Sequence, residues 1–359
     1  MNINEITLSD GRSLLYFDRF AVDREAVDLR DLEPATGRSV MRQDLLTGEW
    51  VLIASARQSR IFMPANDSCP LCPTTPENQS EIPSNDFDLV IFENRFAALS
   101  HSQLATIQGE IDGYGRCEVV CFSPDHVTPL AFLGLDKIYL YIAALSQRTL
   151  VLSQDPKVNY IFAFENRGER VGVTLPHPHG QIYAYPFVPP RVLTMVNTEF
   201  AQRCDIGKAI VKANEIDPQR TLIDSEHWIA FVPYAARWPY EVHIFPKRAI
   251  GMLPDLEPAE MKDLALVYGS VLSAFENLFE SETSYISSWI QAPVNCSMKL
   301  NRMHIEIVTP QRSEERYKFL AGSESGVGTF INDITPEQAA STLRPLVHLA
   351  HQELRRLHG

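Results

Sequence analysis

The sequence feature that most constrains the fold is an internal repeat with a spacing of 125 residues. Each half of the chain is predicted to form a strand, a helix and two further strands in the same order. We therefore predict an α+β fold, in which two duplicated units pair edge to edge into one large antiparallel sheet with helices packed on it. The constant spacing separates three pairs of corresponding residues: Tyr160 and Tyr285, His179 and His304, and Gln181 and Glu306.

We place the first unit in residues 1–210 and the second in residues 211–359. Residues 1–40 show no sustained period and are predicted to form an arm that packs onto the larger body. The chain is predicted to end in a helix with a capping box, with Thr335 as the N-cap and Gln338 at the third helical position. The other predicted elements are strands at 117–122, 160–164, 180–185, 240–245, from 285 and at 304–308, and helices at 136–154 and 258–280.

Composition and charge restrict the class of protein. Hydrophobic residues make up 45% of the chain and charged residues 21%, as in an ordinary globular protein. The net charge of −13 argues against a nucleic-acid scaffold, because such proteins carry a basic patch. We expect a cytoplasmic protein without a membrane segment, since the sequence shows neither a signal peptide nor an apolar run of about 18 residues. Six scattered cysteines are too few for a disulfide framework.

The stretch from residue 176 to residue 186 carries an unusual set of polar side chains. Because strand side chains alternate between two faces, His177, His179 and Gln181 are predicted to project from the same side. Neutral imidazole is a nucleophile near pH 7, and a hydrogen bond to its second nitrogen fixes the tautomer. Gln181 can donate to a phosphoryl oxygen, and Gly180 lacks a Cβ that would obstruct a ligand. Two histidines at the rim of a sheet are the alternative, but the glutamine, the glycine and the flanking prolines favour a phosphate site.

The repeat is asymmetric at this stretch. Arg302 stands 125 residues after His177, so the second unit keeps one histidine of the pair and loses the other. This asymmetry favours one catalytic unit and one degenerate unit that supports the fold.

A Cys-x-x-Cys pair indicates a possible metal site. Cys69 and Cys72 lie in a loop rich in proline, asparagine and serine. The spacing is typical of half a zinc site, but free surface cysteines or a redox pair share it. Tetrahedral zinc needs two further ligands, and His126 and His177 are the candidates.

Two other segments are candidates for binding anions. Arg57 and Arg60 follow a predicted strand that begins at a turn at residues 47–48, and they could form an anion clamp or remain solvated charges. The loop over residues 318–326, rich in glycine and serine, could bind a sugar or phosphate through backbone amides or be a simple turn.

From about residue 40 to residue 345 the chain resembles the galactose-1-phosphate uridylyltransferase family, the transferase branch of the histidine-triad superfamily. The most specific block is His177-Pro178-His179-Gly180-Gln181, because histidine-triad hydrolases carry a third histidine in place of the glutamine. Other blocks occur in the family's order, at residues 46–50, 92–98, 122–126, 164–166, 238–241, 245–247 and 317–319.

The resemblance implies a double displacement. His179 would attack the α-phosphorus of UDP-glucose to form a uridylyl-histidine and release glucose 1-phosphate. Galactose 1-phosphate would then take the uridylyl group to give UDP-galactose. Because a sugar phosphate leaves as a weakly basic anion, the reaction needs positioning and hydrogen bonds to the phosphoryl oxygens, a role that suits Gln181.

The resemblance also implies roles for other residues. Arg57, Asn94, Asn166 and Thr174 would contact the nucleotide or its phosphates. Arg60, Lys318, Phe319 and Glu324 would reach the sugar phosphate, some of them across the interface of a homodimer. Cys69, Cys72, His126 and His177 match the zinc ligands of the family, and a full set of protein ligands implies a structural zinc.

The sequence departs from the family's pattern at several positions. Some members hold a second metal with one glutamate and three histidines, and we predict that this site is empty here. Arg95 replaces an aspartate near the ribose, and Ser323 replaces a tyrosine near the sugar, which leaves the acceptor sugar open. The four positions that align with the second metal site are Met195, Ile290, Arg302 and His304.

Two other functions compete with this prediction. The first is a related nucleotidyltransferase or phosphorylase that acts on ADP-sugars or dinucleotides through the same His179 intermediate. The second is a zinc-stabilised nucleotide-binding protein without activity, which the intact His179 and Gln181 argue against.

Overall fold

A sheet of eleven strands dominates the computed structural model, which describes residues 1–34, 39–59, 63–64, 68–100 and 111–358. The strands in chain order are β1 (Asn2–Thr7), β2 (Ser13–Asp18), β3 (Ser39–Gln43), β4 (Trp50–Ala54), β5 (Leu89–Glu93), β6 (Ile111–Asp112), β7 (Arg116–Cys121), β8 (Tyr160–Arg167), β9 (His179–Tyr185), β10 (Thr221–Asp224), β11 (Trp228–Phe231), β12 (Tyr240–Pro246), β13 (Tyr285–Ile290), β14 (His304–Thr309), β15 (Gln311–Ser313) and β16 (Arg316–Tyr317). The helices are α1 (Leu135–Leu152), α2 (Pro190–Gln202), α3 (Ile206–Ile216), α4 (Pro258–Glu276), α5 (Gly322–Val327) and α6 (Pro336–His358).

The large sheet runs in the order β1-β2-β5-β7-β9-β8-β13-β14-β12-β11-β10. Neighbouring strands are antiparallel throughout, as predicted. Two small sheets flank it, one of β4, β3 and β6 and one of β15 and β16. The predicted α+β architecture with one large antiparallel sheet is therefore confirmed.

The two units meet where β8 pairs with β13. In that ladder Ala163 lies opposite Trp289 and Phe164 lies opposite Ser288. Ser288 lies 125 residues after Ala163, and Trp289 lies 125 residues after Phe164, so the first pair corresponds to the second pair in the repeat. The register of this ladder is therefore consistent with the repeat. The spacing found in the sequence thus corresponds to an approximate two-fold relation between the halves of the sheet.

Helices α1, α4 and α6 cover one face of the sheet and share one hydrophobic core with it. Trp289 of β13 lies at the centre of this core, where its ring contacts Tyr141 of α1 at 5.9 Å and Tyr268 of α4 at 5.1 Å between centroids. Burying three aromatic side chains from both units contributes several kcal/mol each, by the area rule of roughly 25 cal/mol per Å². Both units therefore depend on the same core.

The prediction of an arm over residues 1–40 was wrong for its first half. Residues 2–18 form the hairpin β1–β2, which extends the large sheet by pairing β2 with β5. Strand β2 lacks the alternation that identifies a half-exposed strand, because its residues from Leu14 to Asp18 are all buried. A continuous apolar run carries no period, so periodicity could not identify it.

Other boundaries agree with prediction within a few residues. The capping box at the start of α6 is present, since the Thr335 hydroxyl accepts from the backbone amide of Gln338 and the Gln338 side chain accepts from the Thr335 amide. Among the helices that the structure describes, none is both long and apolar enough to span a bilayer. The division at residue 210 stays a prediction.

Candidate active site and metal centre

Strand β9 presents His179, Gln181 and Tyr183 to a cavity on the sheet face away from α1. Ile182 and Ala184 point the other way and are buried in the main core. The cavity has a volume of about 320 Å³. Among the residues that line it are six that the sequence predicted as catalytic or substrate-binding: Arg57, Asn94, Asn166, Thr174, His179 and Gln181.

His179 is held in one tautomer by the backbone. Its Nδ1 lies 2.8 Å from the carbonyl oxygen of His177. A carbonyl oxygen only accepts, so Nδ1 carries the hydrogen and Nε2 keeps a free lone pair. Burial lowers the pKa of His179, which favours the neutral ring. The residue that lines the cavity therefore has the form a nucleophile requires.

Gln181 is oriented by a short chain of hydrogen bonds. Arg57 donates from Nη1 to the Tyr183 hydroxyl at 3.4 Å, and that hydroxyl donates to Oε1 of Gln181 at 3.2 Å. With its oxygen engaged, the Gln181 carboxamide has its NH₂ group available as a donor. Sequence reasoning missed Tyr183, although its place two residues after Gln181 on the same strand could have indicated it.

The loop after β5 forms one wall of the cavity. The Asn94 side chain accepts from the backbone amide of Phe96 at 2.9 Å, which fixes a tight turn. Arg95, half-buried in the cavity wall, has no ion pair or hydrogen bond to any residue that the structure describes. A guanidinium in such a place attracts an anionic or strongly accepting group of a ligand.

Other predicted substrate residues lie elsewhere. Lys318 is buried, and its Nζ lies 2.6 Å from Oε1 of Glu324. That hydrogen bond lowers the pKa of Glu324 to about 2. Phe319 beside them is 75% exposed. Within one chain these three residues do not line the cavity of His179, and Arg60 lies outside the described residues.

The prediction that His177 shares a face with His179 and Gln181 was wrong. Strand β9 begins at His179, and His177 lies before it with its ring directed to Cys69 and Cys72. The proline on each side of His177 interrupts the strand, because proline cannot supply a backbone donor. Strand alternation therefore does not extend back to this residue.

The explanation for Gly180 was also wrong. A Cβ at this position would lie 3.3 Å from the ring of Phe122 and 3.3 Å from the carbonyl oxygen of Phe164. Phe122 belongs to the core beside α1. Gly180 therefore allows Phe122 to pack against the sheet rather than allowing a ligand to approach.

Cys69, Cys72, His126 and His177 form one cluster whose ligand atoms all lie within 4.8 Å of one another. Nδ1 of His126 lies 3.2 Å from Sγ of Cys72, and Nδ1 of His177 lies 3.5 Å from the same sulfur. Tetrahedral zinc with ordinary bond lengths would place sulfur and nitrogen about 3.5 Å apart. The four side chains therefore fit a metal ion of this kind.

One further contact agrees with a cation at the cluster. Nε2 of His177 lies 3.0 Å from the Ser123 carbonyl oxygen, which leaves Nδ1 as the ligand atom.

The positions that align with a second metal are arranged differently. Arg302 forms an ion pair with Asp205 at 2.9 Å, and His304 lies 3.2 Å from Glu306. Met195 and Ile290 offer no oxygen or nitrogen ligand. The empty second site stays a prediction.

Comparison with known proteins gives the family. The family model for the N-terminal domain of galactose-1-phosphate uridyl transferase matches residues 22–189, and the model for its C-terminal domain matches residues 199–356. The chain belongs to this family. The predicted resemblance is thereby confirmed over both halves of the chain.

Individual relatives match this chain over most of its length. The galactose-1-phosphate uridylyltransferase of Streptomyces lividans is 37% identical over 96% of this chain and 98% of its own. That of Thermotoga maritima is also 37% identical, over 85% of this chain and 97% of its own. A solved uridylyltransferase structure is 31% identical with a TM-score of 0.76, and covers 86% of this chain and 99% of that chain.

Proposed function

We propose that this protein transfers the uridylyl group of UDP-glucose to galactose 1-phosphate, with His179 as the nucleophile. The observation that carries the proposal is the hydrogen bond from Nδ1 of His179 to the His177 carbonyl, which leaves Nε2 with its lone pair. Family membership over both units supports the choice of substrates.

In the first step Nε2 of His179 forms a bond to the α-phosphorus, and the bond from that phosphorus to the bridging oxygen breaks. The electron pair leaves with glucose 1-phosphate, a stable anion, so no strong acid is needed. In the second step the phosphate oxygen of galactose 1-phosphate attacks the same phosphorus and restores His179. A single set of groups serves both steps.

The surrounding residues stabilise charge and position the substrate. The free NH₂ group of Gln181 donates to a non-bridging oxygen of the α-phosphate, and it adds no titrating proton. Arg57 orients Gln181 through Tyr183 and adds positive charge near the phosphates. Asn94, Asn166 and Thr174, which line the same cavity, bind the nucleotide.

The metal in this proposal is zinc, and its role is structural. Cys69, Cys72, His126 and His177 would fill all four positions, so the ion has none left for a substrate. Zinc on the side chain of His177 would hold the adjoining backbone, whose carbonyl orients His179. Lys318, Phe319, Glu324 and Arg60 are proposed to reach the sugar phosphate in a homodimer, and the cytoplasmic location stays a prediction.

The deciding experiment follows label from UDP-glucose that carries ³²P in the α-phosphate. We expect acid-labile, alkali-stable label on wild-type protein and none on His179→Ala, with circular dichroism to show that the variant is folded. His348→Ala, which removes a histidine on α6, is the matched control and should label normally. Label on folded His179→Ala would disprove the proposed nucleophile.

A donor panel distinguishes the proposal from the related transferases and phosphorylases. Parallel reactions with ADP-glucose and with a diadenosine polyphosphate, each labelled in the α-phosphate, should leave far less label than UDP-glucose does. Preferential labelling by an adenine nucleotide would assign the protein to the alternative instead, with the same His179 chemistry.

A further inference from the structure

We propose that the second unit contains a separate binding cavity for a flat aromatic molecule that carries an anionic group. The cavity has a volume of about 650 Å³, within the range of about 300–1,000 Å³ for small-molecule sites. It lies between the sheet and helices α2 and α3. The repeat places His304 and Glu306 in it where the first unit has His179 and Gln181.

The sheet side of this cavity is formed by flat rings. Phe245 stacks on His304 with the ring centroids 4.5 Å apart and the planes at 8°. His243 lies 6.2 Å from Phe245 at 29°, and Phe231 lies 5.7 Å from it at 32°. All four residues line the cavity. Such a wall suits an aromatic ring, because ring pairs are stabilised beyond simple burial.

The carboxylates in the cavity are already engaged and do not select a cation. Glu306 accepts from Arg191 at 2.7 Å and lies 3.2 Å from Nε2 of His304. Glu241 accepts from two backbone amides and lies 2.8 Å from Nε2 of His243. These two carboxylates are about 3% exposed. A third carboxylate, that of Glu199, is buried and accepts from the backbone amides of Ile206 and Asn301, so a ligand meets little negative charge.

The accessible charge is positive and comes from arginines. The guanidinium of Arg237 is exposed and, among the described residues, contacts only the face of the Phe330 ring, at 5.8 Å. Arg191 pairs with Glu306 but its side chain is 44% exposed. Nε of Arg220 is buried without a hydrogen-bond partner in the described structure, although its Nη1 pairs with Glu337 at 3.2 Å. All three arginines line the cavity, and Arg237 has no ion pair among the described residues, so an anionic group is favoured beside Arg237 while the ring packs inside.

The chemistry of the first unit cannot operate here. Where Gln181 offers a donor to a phosphoryl oxygen, Glu306 offers a carboxylate, which would repel it. Its pKa is held well below the usual range because nearby His243 and Arg191 and the hydrogen bond from His304 outweigh the effect of burial. The inference is therefore a binding site without group transfer, and it holds whether or not the proposed reaction is correct.

The test uses two fluorescent probes that share one ring system. 8-Anilinonaphthalene-1-sulfonate carries an anionic group, and N-phenyl-1-naphthylamine lacks it. Titrations of the whole chain are done without UDP-glucose and again with an excess of it, which occupies the first cavity. We expect one site per chain and about fivefold tighter binding of the sulfonate, which is the upper end of the contribution of an exposed charge pair.

Two variant pairs locate the site. Thr194→Trp places an indole on an exposed residue of α2 that lines the cavity, and Asn197→Trp places it on an exposed residue of the same helix outside the cavity. Arg237→Gln and Lys212→Gln each remove one exposed positive charge, the first at the cavity and the second away from it. Thr194→Trp should abolish binding of both probes, and Arg237→Gln should weaken the sulfonate alone, while both controls bind as wild type.

Several results would overturn the inference. These are unchanged binding to Thr194→Trp, displacement of the probe by UDP-glucose, equal affinity for the two probes, or no binding to wild type. Light scattering tests one further contrary result. If Thr194→Trp dissociates a dimer, the cavity is a contact between two copies of the chain and not a ligand site. Competition by UMP against indole-3-acetate then shows whether a phosphate or a carboxylate is the preferred anion.

Discussion

The side chain and the backbone of His177 serve different sites. Its ring belongs to the metal cluster with Cys69 and Cys72, and its carbonyl oxygen accepts the hydrogen of Nδ1 of His179. The His-x-His spacing therefore lets the His177 carbonyl orient His179 while the two rings point to different places, and it does not put both rings on one strand face.

Glu165 is a residue whose protonation affects stability. Both of its carboxyl oxygens are buried without a hydrogen-bond partner among the described residues. Burial, and secondarily the charge of Glu276, raises its pKa from 4.5 to about 8. The folded protein therefore holds this proton at neutral pH, whereas the unfolded chain releases it above about pH 4.5. Each unit by which the pH rises between these two values therefore lowers the free energy of unfolding.

We predict that Glu165→Gln stabilises the protein at neutral pH. The amide cannot ionise, so the variant does not lose the free energy of unfolding that wild type loses between pH 4.5 and about 8. The gain should be about 3 kcal/mol at pH 7, by the rule of about 1.4 kcal/mol per unit of pKa shift. Urea denaturation at pH 4, 5.5 and 7 measures it.

The difference between Glu165→Gln and wild type should disappear at pH 4, where both states of wild type are protonated. Glu226→Gln, whose side chain is 85% exposed, is the control and should change nothing at any of these pH values. A gain that stays constant with pH would contradict the ionisation argument.

At the scale of elements, the metal cluster joins three loops. Cys69 and Cys72 come from the loop before β5, His126 from the loop after β7, and His177 from the segment that leads into β9. Loops with little secondary structure of their own gain order from a shared ion. A metal ion held by these four side chains would therefore position the start of the strand that carries His179.

We predict that Cys69→Ser lowers zinc content well below one ion per chain and lowers the unfolding temperature. Loss of a structural ligand should cost several kcal/mol, because the ion binds the folded chain only. Uridylylation by UDP-glucose should slow as well, since the His177 carbonyl loses its support. Metal analysis, calorimetry and the labelling assay measure the three effects.

Cys204→Ser is the matched control, because Cys204 is an exposed thiol outside the cluster. It should retain wild-type metal content, unfolding temperature and labelling rate. If wild-type protein without zinc has the same unfolding temperature as wild-type protein with zinc, the structural role of the ion is contradicted.

At the scale of the whole molecule, the repeat produces one core rather than two. The sheet continues from β8 to β13, and α1 of the first unit packs against α4 of the second. Trp289 contacts both helices through Tyr141 and Tyr268. Unfolding should therefore be a single transition that involves both units.

We predict that Trp289→Ala lowers the free energy of unfolding by about 3–5 kcal/mol, the usual cost of removing a buried aromatic side chain. The loss should appear in one transition, with the same midpoint by far-ultraviolet circular dichroism and by release of the metal from the first unit. Phe200→Ala removes a ring that is 84% exposed and should cost no more than about 0.5 kcal/mol. Two separate transitions in Trp289→Ala would show that the units are independent.

Much of the fold could be predicted from local patterns. The helix periods and the capping box at Thr335 depend on neighbours in the chain, and they predicted the elements. The 125-residue spacing compares residue types along the chain and predicted the order of the elements in each half. The strand β2 could not be predicted this way, because burial on both faces removes its period. Its place in the sheet depends on pairing with β5, about 75 residues away in the chain.

The candidate site divides in the same way. The residue types at 177, 179 and 181 indicated a phosphate site, and the spacing of Cys69 and Cys72 indicated a metal site. Family resemblance then predicted Arg57, Asn94, Asn166 and Thr174, which line the same cavity as His179. The repeat pointed to His304 and Glu306, but the burial of Glu165 and the cavity around His304 could not be predicted, because both depend on residues distant in the chain.

The sequence by itself determined the duplication, the antiparallel sheet and the family, because these depend on spacing and residue type. Tertiary structure alone decided which way the His177 ring points, whether the Glu165 carboxyl group is protonated at neutral pH, and which residues surround His304. Those properties depend on local dielectric and on contacts between distant segments, and neither exists until the chain has folded.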